Sequence, residues 1–503
     1  MSINILEYLE RNAKQFPDTV AVIDEEKSYT YKELMNISRC IGTGIACKTN
    51  IRKPVAVLME KGSDTLCTFM GIVYAGCFYV LLNPELPENR LKQIVSVLQP
   101  ELIITDSIHQ ELATMLVPAE HIALKEEIIN TNFDENLLRK IRNKVIDTDP
   151  LYANFTSGST GVPKGVVISH RSVIDFIEIF VPLFSICQND IIGNQAPFDF
   201  DVSVKDIYSA LKTGATLVII PKRLFSQPVN LLDYICEHKI TTMIWAVSAL
   251  CLISTCHGLD YRTPSTVKRV LFSGEVMPYK HLKSWMEHLP SADFVNLYGP
   301  TEITCNCTYH KISRTRDYSD SVPIGKSFPN EHVFLLDDND NEITTPGKRG
   351  EICVRGTALA LGYFRDKMQT EKAFTLNPLN KWYPEYIYRT GDLAVYTDDE
   401  ELLFCGRKDF QIKYMGHRIE LEEVEREISC VPQIERCCVL FKESKQRLYC
   451  FYTGDIDRKE LCGILKERLP LYMIPGVIKQ VDNFPLTKNG KIDRKELLKL
   501  IEN

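Results

Sequence analysis

Through the middle of the chain the apolar residues switch between two periods. Residues 215–220 (Ala-Thr-Leu-Val-Ile-Ile) form an apolar run of strand length, and 230–238 then carry Leu231, Leu232 and Ile235 at helical spacing. Further strand-like runs occupy 241–246 and 269–272. Residues 278–289 place Leu282, Trp285, Met286 and Leu289 at i, i+3, i+4 and i+7, and the run 294–298 closes the stretch. Strands alternating with amphipathic helices predict an α/β fold whose parallel sheet is covered by helices. No internal repeat or low-complexity tract is visible, which excludes a solenoid.

Two of these strands run directly into a glycine followed by an acid. The first gives Ser273-Gly274-Glu275 and the second Tyr298-Gly299-Pro300-Thr301-Glu302. In parallel α/β sheets ligands sit beyond the carboxyl ends of the strands, where glycine lets backbone approach the ligand. A site at Gly274 and Gly299 is therefore expected from pattern alone.

Composition narrows the class. The 503 residues are 45% hydrophobic and 25% charged, an ordinary globular balance, and 59 basic against 66 acidic residues leave a net charge of −7. That balance disfavours non-specific nucleic-acid binding. Residues 1–18 include Glu7, Glu10, Arg11 and Lys14 and so lack the apolar core of a signal peptide. The most apolar stretch, 68–82, is too short for a spanning helix and is broken by Gly71 and Gly76. No membrane insertion and a cytoplasmic location are the expectation. The 17 cysteines show no Cys-x-x-Cys spacing and the ten histidines supply no partner, so reduced thiols acting as small apolar residues are expected, not a metal–thiolate site. Residues 405–503 hold 19 basic and 16 acidic residues, a balance of +3. This is compatible with a basic module closing over an anionic ligand and equally with ordinary variation between domains.

The richest motif is Asn154-Phe155-Thr156-Ser157-Gly158-Ser159-Thr160-Gly161-Val162-Pro163-Lys164-Gly165. Its hydroxyls and glycines present many unobstructed donors of the kind that wrap phosphate, and Lys164 adds a cation. The glycine spacing is not that of a P-loop. Alone, this segment reads equally as a polar surface loop. It is followed in order by Tyr298-Gly299-Pro300-Thr301-Glu302, Tyr388-Arg389-Thr390-Gly391-Asp392, Gly406-Arg407-Lys408-Asp409 and Asn489-Gly490-Lys491-Ile492-Asp493. The set resembles the acyl-adenylate-forming superfamily, which includes adenylation domains of nonribosomal peptide synthetases, acyl-CoA synthetases and luciferases. The resemblance runs from Thr30-Tyr31-Lys32-Glu33-Leu34 to Lys491. It implies a large N-terminal core, 1–408, of α/β subdomains with a small β-barrel-like subdomain, and a small mobile α+β domain, 409–503, hinged at Asp409.

The resemblance also implies roles. Thr156, Ser157, Gly158, Ser159, Thr160 and Lys164 would hold the leaving pyrophosphate of ATP. Asn296 would contact the adenine amine and Tyr298 stack on its ring, with Gly274, Glu275 and Gly299 lining the nucleotide site. Asp392 would accept the ribose hydroxyls, supported by Arg407. Thr301 would bind the α-phosphate, Glu302 Mg²⁺, and Lys491 both the substrate carboxylate and the α-phosphate. Two anions must meet in this reaction, so charge has to be neutralised at the reacting centre. Thr301, Glu302 and Lys491 are the expected catalytic set, and ATP and Mg²⁺ the expected cofactors.

Phe200-Asp201-Val202-Ser203 resembles the motif whose acid pairs with the α-ammonium of an amino acid. A buried carboxylate without a cation is costly, which argues for an amino-acid substrate. The alternative for Asp201 is a cap on the following helix. Pocket-lining positions by the same resemblance are Val202, Lys205, Ile244, Leu271, Ser273, Leu297, Cys305 and Asn306, although Ala246-Val247 replaces the usual proline pair. Pointed inward, Lys205 would want an acidic or carbonyl-bearing substrate side chain; pointed outward, it is a solvated helix lysine. Residues 199–216 and 271–275 also look like D-alanine ligases that load a carrier protein. The resemblance thus implies formation of aminoacyl-AMP and transfer to the phosphopantetheine thiol of a separate carrier protein. No condensation domain is expected before Met1, and too little chain follows Lys491 for a fused carrier. A D-alanine–carrier protein ligase, an acyl- or aryl-CoA ligase and a non-catalytic nucleotide-binding relative are the alternatives.

Overall fold

The computed structural model describes every residue except 1, 159–161, 319–320, 410, 486–491, 500 and 502–503. The chain divides into two compact units. The first comprises Met1–Asn83, Leu98–Asn154 and Gly165–Lys408, and the second Pro84–Val97, Phe155–Lys164 and Asp409–Asn503.

The first unit is built on a nine-stranded sheet. Its spatial order is Lys326–Ser327, Thr308–Lys311, Asp293–Tyr298, Arg269–Ser273, Thr242–Ala246, Ile191–Asn194, Thr216–Ile219, Val20–Ile23 and Ser28–Thr30. From Asp293–Tyr298 to Val20–Ile23 all neighbours are parallel. The alternation read from the sequence is present, with helices at Pro228–Glu237 and Tyr279–His288. One strand escaped it. Ile191–Asn194, four residues ending in Gly-Asn, inserts between Thr216–Ile219 and Thr242–Ala246.

Side chains alternate across this sheet as a period of two requires. Ile244, Leu271, Val295 and Leu297 enter one core with Val204, Ile207 and Leu211 of the helix Val202–Thr213. Met243, Trp245, Val270, Phe272 and Phe294 enter the opposite core with Leu282, Trp285 and Met286. Burying each large apolar side chain contributes roughly 1.5–3 kcal/mol. The buried indoles are also satisfied, since Trp245 Nε1 donates to the Gly193 carbonyl at 2.8 Å and Trp285 Nε1 to that of Leu250 at 3.0 Å. Cys67, Cys305 and Cys307 pack in the first of these cores as small apolar residues.

A seven-stranded, mainly parallel sheet carries Pro54–Leu58, Phe78–Leu81 and Pro150–Thr156 and ends on Lys164–Ser169 and Gly362–Tyr363. A six-stranded antiparallel sheet contains Glu331–Leu336, Gly350–Gly356, Tyr386–Tyr396 and Leu402–Arg407.

The second unit is α+β. It has a hairpin, Gln411–Tyr414 with His417–Glu420, and a three-stranded sheet of Ile434–Lys442, Arg447–Gly454 and Val477–Gln480. Val424, Ile428, Val439, Leu448, Leu461 and Leu465 form its own core. The helix Arg458–Arg468 starts on Asp457, whose side chain accepts from Lys459 N and Glu460 N. No helix among the described residues is long and apolar enough to cross a membrane.

The two glycines at the strand ends serve different needs. Gly274 has φ +99° and an added Cβ would meet no described atom within 4 Å, so conformation alone selects it. At Gly299 a Cβ would stand 2.5 Å from Asn306 Cα and 2.7 Å from the Cys305 carbonyl. The protein's own returning chain occupies the space that a side chain at Gly299 would need. Gly299→Ala is expected to destabilise by about 3 kcal/mol, the upper range of overpacking, and Gly274→Ala by about 1 kcal/mol. Denaturation midpoints of the two variants check this; equal midpoints would refute the packing argument.

Candidate active site

Residues 195–200 lead into Asp201, which precedes the helix Val202–Thr213. Among the described residues its side chain makes no capping bond to that helix. The cap alternative therefore does not hold for Asp201. One turn further, Lys205 is 0% exposed, which excludes a solvated helix lysine. Its Nζ donates to Asn306 Oδ1 at 2.7 Å and to Ser273 Oγ at 3.3 Å. Ser273 ends the strand Arg269–Ser273, while Asn306 follows the short turn Thr301–Ile303. The Cys305 thiol donates to the Asp201 carbonyl at 3.2 Å. Asp201, Lys205, Ser273, Cys305 and Asn306 are thereby drawn together from three elements. Ile244 stands opposite Leu271, and Ser273 opposite Leu297, in adjacent parallel strands, so these positions share one sheet face. Val202 is half-buried.

The turn holding Cys305 is strained. Thr304 and Cys305 have φ +55° and +78°, consecutive non-glycine residues in the left-handed region, at a cost of roughly 1–2 kcal/mol each. The Thr304 hydroxyl donates to the Ala358 carbonyl at 2.7 Å and anchors the turn.

Behind Asp201 lies a polar group that sequence reasoning missed. Lys61 Nζ donates to Asn194 Oδ1 at 3.2 Å and to the Gln195 carbonyl at 3.0 Å, and Asn194 Nδ2 donates to Asp206 Oδ2 at 2.8 Å. Burial pushes Lys61 down to about 7 and Asp206 up to about 8, Asp206 being partly restrained by the Asn194 bond and by Lys205. Lys61 ties down the segment that carries Asp201. A lysine just after a strand reads as solvated, so no sequence signal pointed inward.

On the other side of the same strand ends, Tyr298 Oη donates to Asp392 Oδ2 at 2.6 Å, and Arg407 pairs with Asp392 Oδ1. Asp392 and Arg407 are direct partners across the antiparallel strands Tyr386–Tyr396 and Leu402–Arg407, and Asp392 is 1% exposed. Burial, reinforced by the Asp392 charge, raises the Tyr298 hydroxyl well above its ordinary range, so it remains a donor. Asn296 Nδ2 donates to the Pro323 carbonyl at 2.8 Å. Thr301, Gly274 and Glu275 are half-buried at the strand ends.

Glu302 is fully buried. Its Oε1 accepts from Tyr363 Oη at 2.7 Å, and its backbone carbonyl accepts from Ala360 N at 2.8 Å. Tyr363 belongs to the two-residue strand Gly362–Tyr363, which pairs with Val166 and Val167. It was not anticipated, because a buried tyrosine in sequence reads as core.

Several expected residues belong to the second unit. The Thr156 hydroxyl is buried with no partner among the described residues, and Ser157 Oγ donates to the Arg418 carbonyl at 2.7 Å. Gly158 is buried and Lys164 half-buried. The Asp409 carboxylate accepts from Gln411 N at 3.2 Å. Ser159, Thr160 and Lys491 lie outside the described residues. No cluster of three or more His, Cys, Asp or Glu among the described residues is arranged to hold a metal.

The family model for AMP-binding enzyme matches residues 9–364, and that for the AMP-binding enzyme C-terminal domain matches 423–491. The chain is 31% identical over 515 residues to the D-alanine–D-alanyl carrier protein ligase of Bacillus cytotoxicus, covering 99% of each. It is 32% identical over 502 residues to tyrocidine synthase 3 of Brevibacillus parabrevis, where it spans 97% of itself but only 7% of that large protein. In fold it is similar to the Vibrio cholerae adenylation domain AlmE, solved with glycyl-adenosine-5'-phosphate, at a TM-score of 0.86 and 21% identity over 100% of this chain and 98% of that one. Both family models fall in order along the chain, and a relative is matched from end to end. The chain belongs to the AMP-binding enzyme family, as an adenylating ligase.

Proposed function

We propose that the chain activates an amino acid with ATP as aminoacyl-AMP and then passes the aminoacyl group to the phosphopantetheine thiol of a carrier protein. The observation that carries this reading is Asp201, a carboxylate beside the strand ends that does not cap its own helix. An α-ammonium can pair with an acid so placed, whereas a simple carboxylic acid offers no cation. The end-to-end similarity to a carrier protein ligase favours a carrier as acceptor.

In the first half-reaction Asp201 holds the substrate amine, and a substrate carboxylate oxygen attacks the α-phosphorus of ATP. The bond to the bridging oxygen breaks, and pyrophosphate leaves with its electron pair. Thr156, Ser157, Gly158, Ser159, Thr160 and Lys164 take the pyrophosphate, Thr301 the α-phosphate, and Lys491 spans the substrate carboxylate and α-phosphate, reducing their repulsion. Tyr298 and Asn296 locate the adenine. Asp392, oriented by Tyr298 and Arg407, takes the ribose hydroxyls. Glu302 fits a hard cation, being a buried carboxylate directed by Tyr363. Mg²⁺ held there would supply charge neutralisation to the phosphates of ATP. In the second half-reaction a carrier thiolate attacks the acyl carbon, the mixed-anhydride C–O bond breaks, and AMP leaves. Residues 409–503 rotate about Asp409 between the two steps and withdraw Lys491. We place this activity in the cytoplasm.

Asp201→Ala is expected to cut amino-acid-dependent ATP–pyrophosphate exchange about 100-fold or more, the scale of removing one partner of a buried ion pair. Exchange at the parental rate would reject its pairing with the amine. Lys491→Ala is expected to lose exchange yet still form thioester from supplied aminoacyl-AMP and holo-carrier, and intact exchange would remove the lysine from the first step. Tyr363→Phe is expected to raise the Mg²⁺ concentration for half-maximal exchange about tenfold, one charge-assisted hydrogen bond, and to weaken Mn²⁺–ATP binding in parallel by electron paramagnetic resonance. Unchanged metal dependence would reduce Tyr363 to packing.

A further inference from the structure

We infer that the first unit carries a second binding site, separate from the residues proposed for ATP and substrate: a cleft among four of its helices that takes a small organic carboxylate with an apolar body.

The cleft has a volume of about 220 Å³ and lies among the helices Leu6–Gln15, Tyr31–Ala46, Ser63–Tyr74 and Glu135–Arg142. The last of these lines it with Glu135, Leu138, Arg139 and Arg142, at i, i+3, i+4 and i+7, the spacing of one helix face. Leu6 and Glu10 line it from the first helix, again four residues apart. The helix Ser63–Tyr74 contributes its last two residues, Val73 and Tyr74. Its first residue follows Lys61 by two positions, and Lys61 binds the segment that leads to Asp201. Twelve residues of helix put about 18 Å between those two ends. The cleft is not an extension of the active site.

Its charges are unevenly matched. Three arginines, Arg39, Arg139 and Arg142, line it with two acids, Glu10 and Glu135. Arg142 Nη2 donates to Glu10 Oε2 at 2.8 Å, while Arg142 Nη1 is buried with no partner among the described residues. Arg139 Nη2 donates to the neutral Asn136 Oδ1 at 2.9 Å. The Arg39 guanidinium lies 5.8 Å from the ring centroid of Tyr74 and 5.3 Å from that of Phe133, and it forms no ion pair among the described residues. Tyr74 Oη is buried without a hydrogen-bond partner as well. Burial raises this hydroxyl above its ordinary range, so it stays a donor.

Buried donors without acceptors select the ligand. A buried N–H or O–H left unmade is costly, and an anion with two acceptor oxygens supplies what both lack. The planar guanidinium fork matches a carboxylate in particular. Leu6, Val73, Leu138, Ile141 and Val145 make the rest of the wall apolar, so the body of the ligand is apolar too. Inorganic phosphate would use the arginines but not this wall. An organic cation would meet an excess of like charge.

The test is calorimetry of the full chain with 4-iodobenzoate, with benzamidine as a cationic counterpart, benzyl alcohol as a neutral one, and inorganic phosphate. 4-Iodobenzoate is expected to bind at least about tenfold more tightly than each of the other three. Arg39→Met and Arg142→Met are each expected to weaken it about tenfold, the scale of one charge-assisted hydrogen bond, with ATP binding unchanged. The anomalous signal of iodine in crystals soaked with the same compound is expected in the cleft beside Arg39 and Arg142, and it decides the matter should either variant fail to fold. Phosphate, benzyl alcohol or benzamidine binding as tightly overturns the ligand class. Affinity unmoved by both substitutions, or iodine found only outside the cleft, overturns the site.

Discussion

Ions held away from water set the terms for this site. Lys205, Glu302 and Asp392 are buried around the strand ends, beside a buried Asp206. In such a place a charge is tolerated only with hydrogen-bonding partners, and stripping one partner away typically costs about 3–5 kcal/mol. Each partner therefore also fixes a direction. Asp392 is held from two sides by Tyr298 and Arg407, Glu302 by Tyr363, and Asp206 by Asn194. Groups so constrained need no reorganisation when substrate charge develops, which is the physical basis of electrostatic catalysis.

The scaffold delivers these groups by register. Arg269–Ser273 and Asp293–Tyr298 run parallel, with Ser273 directly opposite Leu297, so both chains leave the sheet at one edge. The second exit then doubles back through two left-handed residues until Asn306 reaches Gly299. That reversal brings Asn306 to Lys205 and Cys305 to Asp201. The conformational strain is offset by the contacts it creates. It also places Cys305 and Asn306, proposed for the substrate, and Glu302, proposed for the metal, on one short turn.

Substrate and nucleotide are treated differently by this arrangement. The residues proposed for adenine and ribose come from two sheets, and three of them are joined, Tyr298 to Asp392 and Asp392 to Arg407. Those proposed for the substrate come from one helix turn, the strand ends and the turn that holds Cys305 and Asn306.

Much of this was legible in the chain itself. Alternating apolar runs located Thr242–Ala246, Arg269–Ser273 and Asp293–Tyr298, because burial on both faces of a parallel strand leaves a local imprint. Ordered motifs singled out Tyr298, Glu302, Asp392 and Arg407 as one set. Local pattern did not reveal the strand Ile191–Asn194, too short and too rich in Gly-Asn to stand out, nor which way Lys205 points. It also gave no hint of Tyr363 or Lys61. Those residues act across 61 and 133 positions of chain, as the Tyr298–Asp392 bond acts across 94. Periodicity records which face of an element is buried, whereas the identity of a distant partner is decided only when the elements pack and every buried polar group must find one.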